Sequence, residues 1–521
     1  MNEQPVTTSK RLVHNTLFNV VTLVTHAVIA FLMMRFFLSR LGQARYGVWV
    51  LIGGSIFRYA PLLSLGLNSA INRYIPVYRA KSDDEGIQRV ISTSLFFFAA
   101  LAMVLVMASL VIYFKAGSWF SIEPELVGTT GMLVLIVGFC FALAMPLQPS
   151  TAVLSGLQRY DISNSVALMA LLLRTVFVVA LLVRGYGLLT MGIVFGLGEI
   201  ALRALDYVFV RRLLPAASPS LAGIDLRLLR EMLAYGVNTF LYAIGGVIIV
   251  QASTVVIAIF MSAAHISQFA FAAAGVLLLS QLLQASTAAI KPAVSDLDAR
   301  NDHLRVKEIA LLTRKYSLLI ILPSGCFLIV MGGNFLGIWV GDQFEEPAVI
   351  RGMAAILAVL AAGYCLMLAQ HSNFLVLVGR GEHRIFGILT GLTALLCVSA
   401  SVVSVKVLGL GLLGIAWSNF LPMLLFSGVL LPIYFNRKMR ISALENVRNV
   451  WQPALLGSLP AVIMICLWKY VAPPDSWLEI AGVVVAAMTL TGLAGWFLSL
   501  TEVERKRFVH IALRKTDHGR G

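Results

Sequence analysis

Charged residues are scarce in this sequence: Asp, Glu, Lys and Arg together make up 12% of its 521 residues, whereas hydrophobic residues make up 59%. Soluble domains carry about 25% charged residues, and a chain this poor in charge could not solvate the surface of a globule of its size. That excludes a soluble enzyme. Polar stretches long enough to fold on their own are missing as well, because apolar runs recur from about residue 14 to residue 499 with only short interruptions. A single-anchor protein with a large domain outside the membrane is thereby excluded too. Cysteine is rare: Cys140, Cys326, Cys365, Cys397 and Cys466 each lie inside an apolar run and no two are close in sequence, a pattern that predicts neither a disulfide framework nor a metal motif. The sequence lacks a Gly-rich phosphate loop, a nucleophile elbow and a Cys/His/carboxylate cluster, so no cofactor or metal is expected and the chain reads as a non-enzyme. Acidic residues number 25 against 40 basic ones, a formal charge of +15. With no soluble basic domain to grip nucleic acid, that excess points to the anionic lipid of an inner leaflet.

What the sequence has in abundance is apolar length. A spanning helix needs about 20 mostly apolar residues, and backbone in lipid must satisfy its own hydrogen bonds, which for runs of this length means helices rather than barrel strands. The expected fold class is an all-α polytopic membrane protein of about fourteen transmembrane helices. They fall near 14–38, 46–72, 90–113, 128–148, 163–183, 187–210, 231–258, 266–290, 314–333, 351–374, 385–405, 408–435, 451–470 and 478–499. The polar segment Met1–Val13 precedes a run too long for a cleaved signal peptide, so that run reads as the first span. With the N-terminus taken as cytoplasmic, the outer loops hold only Arg40, Arg45, Lys115, Arg184, Lys406 and Lys469 among the basic residues. By the positive-inside rule both termini are expected in the cytoplasm.

An internal repeat at a spacing of 223 residues organises these spans. Asn15-Thr16-Leu17 matches Asn238-Thr239-Phe240, Phe37 and Tyr46 match Phe260 and Phe269, and Val153-Leu154-Ser155-Gly156 matches Val376-Leu377-Val378-Gly379. With small shifts of register, Ala80-Lys81-Ser82-Asp83 matches Ala299-Arg300-Asn301-Asp302, and Gly185-Tyr186-Gly187-Leu188-Leu189 matches Gly409-Leu410-Gly411-Leu412-Leu413. The expected organisation is two parallel six-helix bundles, 1–213 and 214–440, plus an appended helix pair and basic tail, 441–521. Because six is even, both bundles enter the membrane in the same sense, facing one another across a central cavity as in an alternating-access transporter.

Ionisable residues at mid-bilayer depth are costly and default to functional candidates. His26, Arg58, Arg174 and Glu199 are the four expected there, on spans 1, 2, 5 and 6 of the first bundle. The second bundle carries neutral polar residues at comparable depth, with Gln281 at the repeat position of Arg58. One cavity wall is therefore expected to be cationic and the other neutral polar. Arg58 lies too deep to snorkel and has no acid in its span, which makes it the first candidate to bind an anion. Arg174 and Glu199 sit level on either side of the turn near Tyr186, a placement that fits an ion pair within the bundle as well as a ligand-binding role. Asn15, Asn19, Thr22 and His26 share one stripe of span 1, and Ser280, Gln284, Thr287 and Lys291 share one stripe of span 8; such stripes either pack helices or line a pore. The substrate-contact candidates are thus Arg58, Arg174, His26, Asn15, Asn238, Gln281, Gln284 and Lys291, with Glu199 and His26 as candidates for ion coupling. Arg35 and Arg351 read as snorkelling residues and His371 as a satisfied or solvated histidine. Ser295-Asp296-Leu297-Asp298, ahead of Leu304 to Leu312, reads as the cap of a further helix on the cytoplasmic side.

Several short motifs carry a resemblance. Leu41-Gly42 with Tyr46-Gly47-Val48-Trp49, then Leu62-Leu63-Ser64-Leu65-Gly66-Leu67-Asn68-Ser69-Ala70 and Arg73-Tyr74, resemble the opening signature of the polysaccharide transporter branch of the multidrug/oligosaccharidyl-lipid/polysaccharide (MOP) flippase superfamily. Ser155-Gly156-Leu157-Gln158-Arg159-Tyr160-Asp161 and Leu336-Gly337-Ile338-Trp339-Val340-Gly341 are similar to segments of the same branch. The resemblance covers essentially the whole chain in length, helix count and twofold repeat. It implies a bacterial inner-membrane flippase that moves polyprenyl-pyrophosphate-linked oligosaccharide outward for O-antigen lipopolysaccharide, capsule or exopolysaccharide. The implied partners are the lipid-linked oligosaccharide, membrane lipids, and a polysaccharide polymerase with its chain-length machinery. Relatives hold the pyrophosphate with basic residues of the first bundle, a placement that Arg58 matches. The departure is in span 1, which has His26 but none of the acid that drug-exporting relatives carry in the first bundle. Two rivals follow: a cation-coupled multidrug exporter of the same fold, and a polyprenyl-linked glycan polymerase or ligase. The latter would need catalytic groups that the short outer loops lack.

Overall fold

The computed structural model describes residues 25–215, 218–287, 290–344, 346–382 and 384–506, with the side chains of 61, 237–239 and 241–243 left aside. Its helices are α1 over 25–41, α2 Gln43–Ser64, α3 Leu67–Ala80, α4 Asp84–Trp119, α5 Pro124–Ala144, α6 Pro149–Gly156, α7 Tyr160–Val183, α8 Leu188–Leu213 and α9 Leu226–Phe260. They continue as α10 Ala263–Thr287, α11 Ile290–Ala299, α12 His303–Val340, α13 Pro347–Ala369, α14 His371–Gly379, α15 Arg384–Lys406, α16 Gly411–Lys438, α17 Ala443–Val471 and α18 Trp477–Ser499. Among the described residues there is no strand, and 12 helical stretches are long and apolar enough to cross a membrane. With α1 and the apolar segment Ile244–Phe260 of α9, they match the all-α, multi-pass protein of about fourteen spans that the apolar runs predict.

The repeat is visible in the helix boundaries and in the turns between them. The segments Pro124–Gly156 and Pro347–Gly379 are offset by 223 residues at both ends. Ser82 (φ 53°) and Asn301 (φ 58°) are both left-handed, and each precedes an aspartate that caps the next helix: Asp83 accepts from the Gly86 N–H, Asp302 from the Arg305 N–H. Gln158 (φ 57°) and Gly381 (φ 72°) mark a second matched turn, and Gly185 and Gly409 a third. The cap ahead of α12 is therefore Asp302 rather than Ser295-Asp296-Leu297-Asp298. Those residues end α11, and α12 runs on from its cap as one helix into the span. Asp225, half-buried, caps α9 in the same way; the Leu228 N–H, followed by that of Arg227, holds its carboxyl below the usual range.

Backbone proximity divides the chain into two compact units, Met1–Ala270 with Thr390–Leu412, and Phe271–Leu389 with Leu413–Gly521. The units are not the two repeats: α9 and the start of α10 group with the first unit, whereas the partition at 213/214 follows sequence symmetry. In the first unit, glycines allow close crossings. A Cβ on Gly196 of α8 would lie 2.6 Å from Cys140 Sγ of α5, and one on Gly192 would collide with Leu133, so Gly192-x-x-x-Gly196 acts as a small-residue face. At Gly66 the backbone turns left-handed (φ 80°) and meets Gly236 of α9 so closely that a Cβ on Gly236 would sit 2.7 Å from the Gly66 carbonyl carbon. Ser55 of α2 donates to the Gln251 side chain of α9 at 3.1 Å.

In the second unit α17 and α18 pack on α12 through Met331, Ala461, Ile465, Val483 and Ala487, with Leu318, Val450 and Ala454 beside them. A buried ion pair pins the end of α18 and the segment after it to α12: Lys315 Nζ donates to Glu504 at 2.6 Å and to the Ser499 carbonyl at 3.2 Å. Burial opposes ionisation of Glu504, but Lys315 and the Thr501 N–H outweigh it and hold the carboxyl below its ordinary range. Cys326 and Cys466 face one another here with sulfurs 3.9 Å apart, and all five cysteines are free.

Two expectations follow. Gly236→Ala should cost about 1–3 kcal/mol by overpacking, whereas Gly246→Ala on the same helix, with nothing within 4 Å of its Cβ, should be neutral or mildly stabilising; thermal unfolding in detergent separates them, and equal losses would contradict the close crossing. Lys315→Met should cost about 3–5 kcal/mol because it strands the buried Glu504 charge, and Lys315→Met combined with Glu504→Gln should recover part of it. Because the Glu504 carboxyl is depressed, the pair's contribution should persist above about pH 4.3 and fade as pH falls below it.

Candidate functional site

The helical ladder fails in span 2. α2 starts as an α-helix, widens into a π-turn over Val50–Ser55, tightens to a 3-10 helix over Ile56–Ser64, and ends at Leu65 (φ 50°) and Gly66 before α3 resumes. Pro61 has no N–H to offer the ladder, and mid-helix changes of pitch of this kind mark hinges and functional positions. Arg58 lies on the 3-10 stretch. Its side chain is exposed, and among the described residues it has no hydrogen-bond or ion-pair partner. Its neighbour Phe57 is buried against Phe141 of α5, ring centroids 5.3 Å apart, which anchors the irregular backbone. The break in span 2 was not foreseen from its apolar pattern, although Gly53-Gly54 and Pro61 are its sequence signals.

Arg174 of α7 stacks its guanidinium over Phe195 of α8, 4.4 Å from the ring centroid, and Trp49 of α2 meets the same ring edge-on at 4.5 Å. The stem of Arg174 runs across Gly198. His26 of α1 is half-buried and within reach of the Arg174 charge. The first unit thus brings together His26, Trp49, Arg174, Phe195 and Glu199.

Glu199 does not pair with Arg174, however. Its carboxylate binds Arg203 one turn further along α8, with Nε at 2.8 Å and Nη2 at 2.7 Å. The i,i+4 spacing lets Arg203 close this contact within one helix, whereas Arg174 must reach across from α7 and finds Phe195 first. Arg203 Nη1 also donates to Thr151 of α6 at 2.7 Å, and the Thr151 hydroxyl donates to Asp206 Oδ2 at 2.5 Å. The expectation of four deep ionisable residues therefore missed Arg203 and the fully buried Asp206. Glu199, Arg203 and Asp206, at i, i+4 and i+7 on one helical face, were the available signal.

The remaining candidates are scattered. Asn15 lies outside the described residues, and Asn238 is on α9 with its side chain outside them. Gln281 (half-buried), Gln284 (exposed) and Lys291 (exposed) belong to the second unit. On the span 8 stripe, Ser280 and Thr287 are buried and spend their hydroxyls on the carbonyls of Val276 and Leu283 of their own helix, which fits packing rather than a lined pore. Among the described residues no group of His, Cys, Asp and Glu could hold a metal ion.

A family model described as "Polysaccharide biosynthesis protein" matches residues 38–349, more than half of the chain. The chain belongs to this family. Its fold is similar to that of three solved MOP-superfamily transporters. The lipid II flippase MurJ in an inward closed conformation is 14% identical with a TM-score of 0.69, covering 92% of this chain and 98% of that one. An inward-facing multidrug resistance MATE transporter is 15% identical with a TM-score of 0.62, covering 82% and 94%. A MOP transporter from Pyrococcus furiosus, noted for the reversed polarity of its binding pocket, is 16% identical with a TM-score of 0.59, covering 83% and 96%. No curated protein matches the sequence. The family is thus a polysaccharide biosynthesis family, and the fold is the one that these MOP-superfamily transporters share.

Because Arg203 holds both Glu199 and Thr151 while Arg174 holds no carboxylate, Arg203→Gln should lower thermal stability by about 1.5–3 kcal/mol, the range for hydrogen bonds to charged groups. Arg174→Gln should cost clearly less. A larger loss for Arg174→Gln in the same assay would contradict the assignment.

Proposed function

We propose that the protein is a flippase carrying polyprenyl-pyrophosphate-linked oligosaccharide across a bacterial cytoplasmic membrane by alternating access, without catalysing a reaction, with Arg58 and Arg174 as the groups that hold the pyrophosphate. The observation that carries this reading is a pair of deep guanidinium groups without carboxylates among the described residues: Arg58, exposed and with no partner there, and Arg174, resting on an aromatic face in the same unit. A guanidinium facing lipid at mid-span costs about 2.5–3.5 kcal/mol on insertion scales. Water or an anion in front of Arg58 avoids that cost. Fixed arginines suit a pyrophosphate because charge-assisted bonds are strong where water is scarce.

A polymer-building pathway is supported by the family, and a lipid-linked substrate by the likeness in fold to a lipid II flippase. Cytoplasmic termini fit the distribution of Lys and Arg, and a polysaccharide polymerase would take over the flipped substrate. The likeness to multidrug transporters favours a second reading, a cation-coupled drug exporter. Two unneutralised arginines would repel the cations such exporters move.

Substituting Arg58→Ala should slow flipping of a polyprenyl-pyrophosphate glycan in proteoliposomes by about 10- to 100-fold, the equivalent of 1.5–3 kcal/mol, at unchanged membrane insertion. Arg58→Lys should retain part of the rate. Wild-type flipping by the Ala variant would remove Arg58 from the mechanism, and transport of an organic cation in place of the glycan lipid would favour the drug exporter.

A further inference from the structure

Asp206 stands apart from the arginines just described. It is 1% exposed, on the stretch of α8 beyond Glu199 and Arg203. Its Oδ2 accepts from the Thr151 hydroxyl, while its Oδ1 is buried with no hydrogen-bond partner. Arg203 comes no nearer than 4.0 Å, its Nε and Nη2 turned to Glu199 and its Nη1 to the Thr151 hydroxyl. Among the described residues, the charges that bear on Asp206 are those of Arg203 and Glu199, both on its own helix. A buried carboxylate with one oxygen left without a hydrogen bond is unfavourable. One proton on Oδ1 removes that cost, and the absence of a ligand cluster among the described residues argues against a metal ion in its place.

We infer that Asp206 is a proton-binding site, and that its proton decides which carboxylate Arg203 serves. With Asp206 protonated, Arg203 pairs with Glu199 as observed, and Arg174 carries a positive charge that no carboxylate matches. When the proton leaves Oδ1, the new carboxylate draws Arg203 across the 4.0 Å gap. Glu199, released, turns to Arg174, whose charge it already feels, and all four charges are then paired. The neutralised Arg174 no longer attracts an anion. Proton uptake at Asp206 and anion binding at Arg174 therefore favour one another, and linkage makes the effect reciprocal. The part concerning Arg174 rests on the flippase reading; the proton site itself does not.

Infrared difference spectroscopy on the full-length protein in liposomes tests the site directly. Between about pH 5 and about pH 9, the wild type should show a buried carboxylic acid C=O band that titrates away. Asp206→Asn should lack the band, Asp206→Glu should keep a displaced one, and Thr151→Val should displace it by removing the hydroxyl on Oδ2. Identical spectra for the wild type and Asp206→Asn overturn the proton site; should Asp206→Asn fail to fold, an unmoved band in Thr151→Val overturns it instead. Binding of inorganic pyrophosphate tests the exchange. Relative to Asp206→Asn, which removes the probe's own titration from the comparison, wild-type affinity should fall by up to about tenfold per pH unit above the midpoint, the limit for one linked proton. Parallel pH profiles for the two proteins overturn the exchange. A titrating band with no pyrophosphate binding at any pH supports the proton site and counts against Arg174 as the anion-binding group.

Discussion

The bilayer core offers neither a hydrogen-bond partner nor a counter-ion, and the organisation of this protein follows from that poverty. Backbone groups must bond to their own helix, which is why a chain that is 59% hydrophobic folds into helices with no strand among its described residues. Hydroxyls obey the same constraint: Ser280, Thr287, Ser109 and Thr130 each return a hydrogen bond to a carbonyl one turn back. Charges have no such partner in their own backbone. Each must find an opposite charge, an aromatic face or a ligand, and the choices made by Arg58, Arg174, Arg203 and Lys315 separate structural roles from functional ones.

Lys315 and Arg203 chose carboxylates. The first fastens the end of α18 and the segment after it to α12, and the second ties α8 to α6 through Thr151. Arg174 rests on Phe195, a contact that holds a guanidinium in place without neutralising it. Arg58 has neither among the described residues, and it sits where span 2 abandons regular helix. Irregular backbone at depth survives where protein covers it or where it borders a polar path. The break and the unpaired charge therefore explain one another: the stretch that carries Arg58 is shaped for something other than packing.

Much of the fold was legible because lipid makes hydropathy nearly decisive. Helix class, approximate span positions and the repeat came from run length and from matched turns; Ser82-Asp83 and Asn301-Asp302 adopt the same left-handed turn and aspartate cap that their similarity implied. The family motifs were legible too, as turns and crossings. Gly42 has φ 78°, and Gly47 and Gly66 are places where another backbone passes too close for a Cβ. Less legible were irregularities that leave hydropathy unchanged, such as the pitch changes over Val50–Ser64, and partnerships made across helices.

The sequence by itself determined that this is a many-helix membrane protein with a twofold repeat and a few costly charges in its first half, because apolar length and the price of burying a charge are properties of residues. Only the tertiary structure decided which charges matter to one another. Depth alone made Arg174 and Glu199 look like partners, but reach and azimuth gave Glu199 to Arg203 and Arg174 to Phe195. The burial of Asp206 where α8 meets Thr151 of α6 was likewise set by packing. Pairing depends on distances of a few ångströms between side chains on neighbouring helices, and those are set by packing around residues such as Gly192 and Gly196, which carry no charge at all.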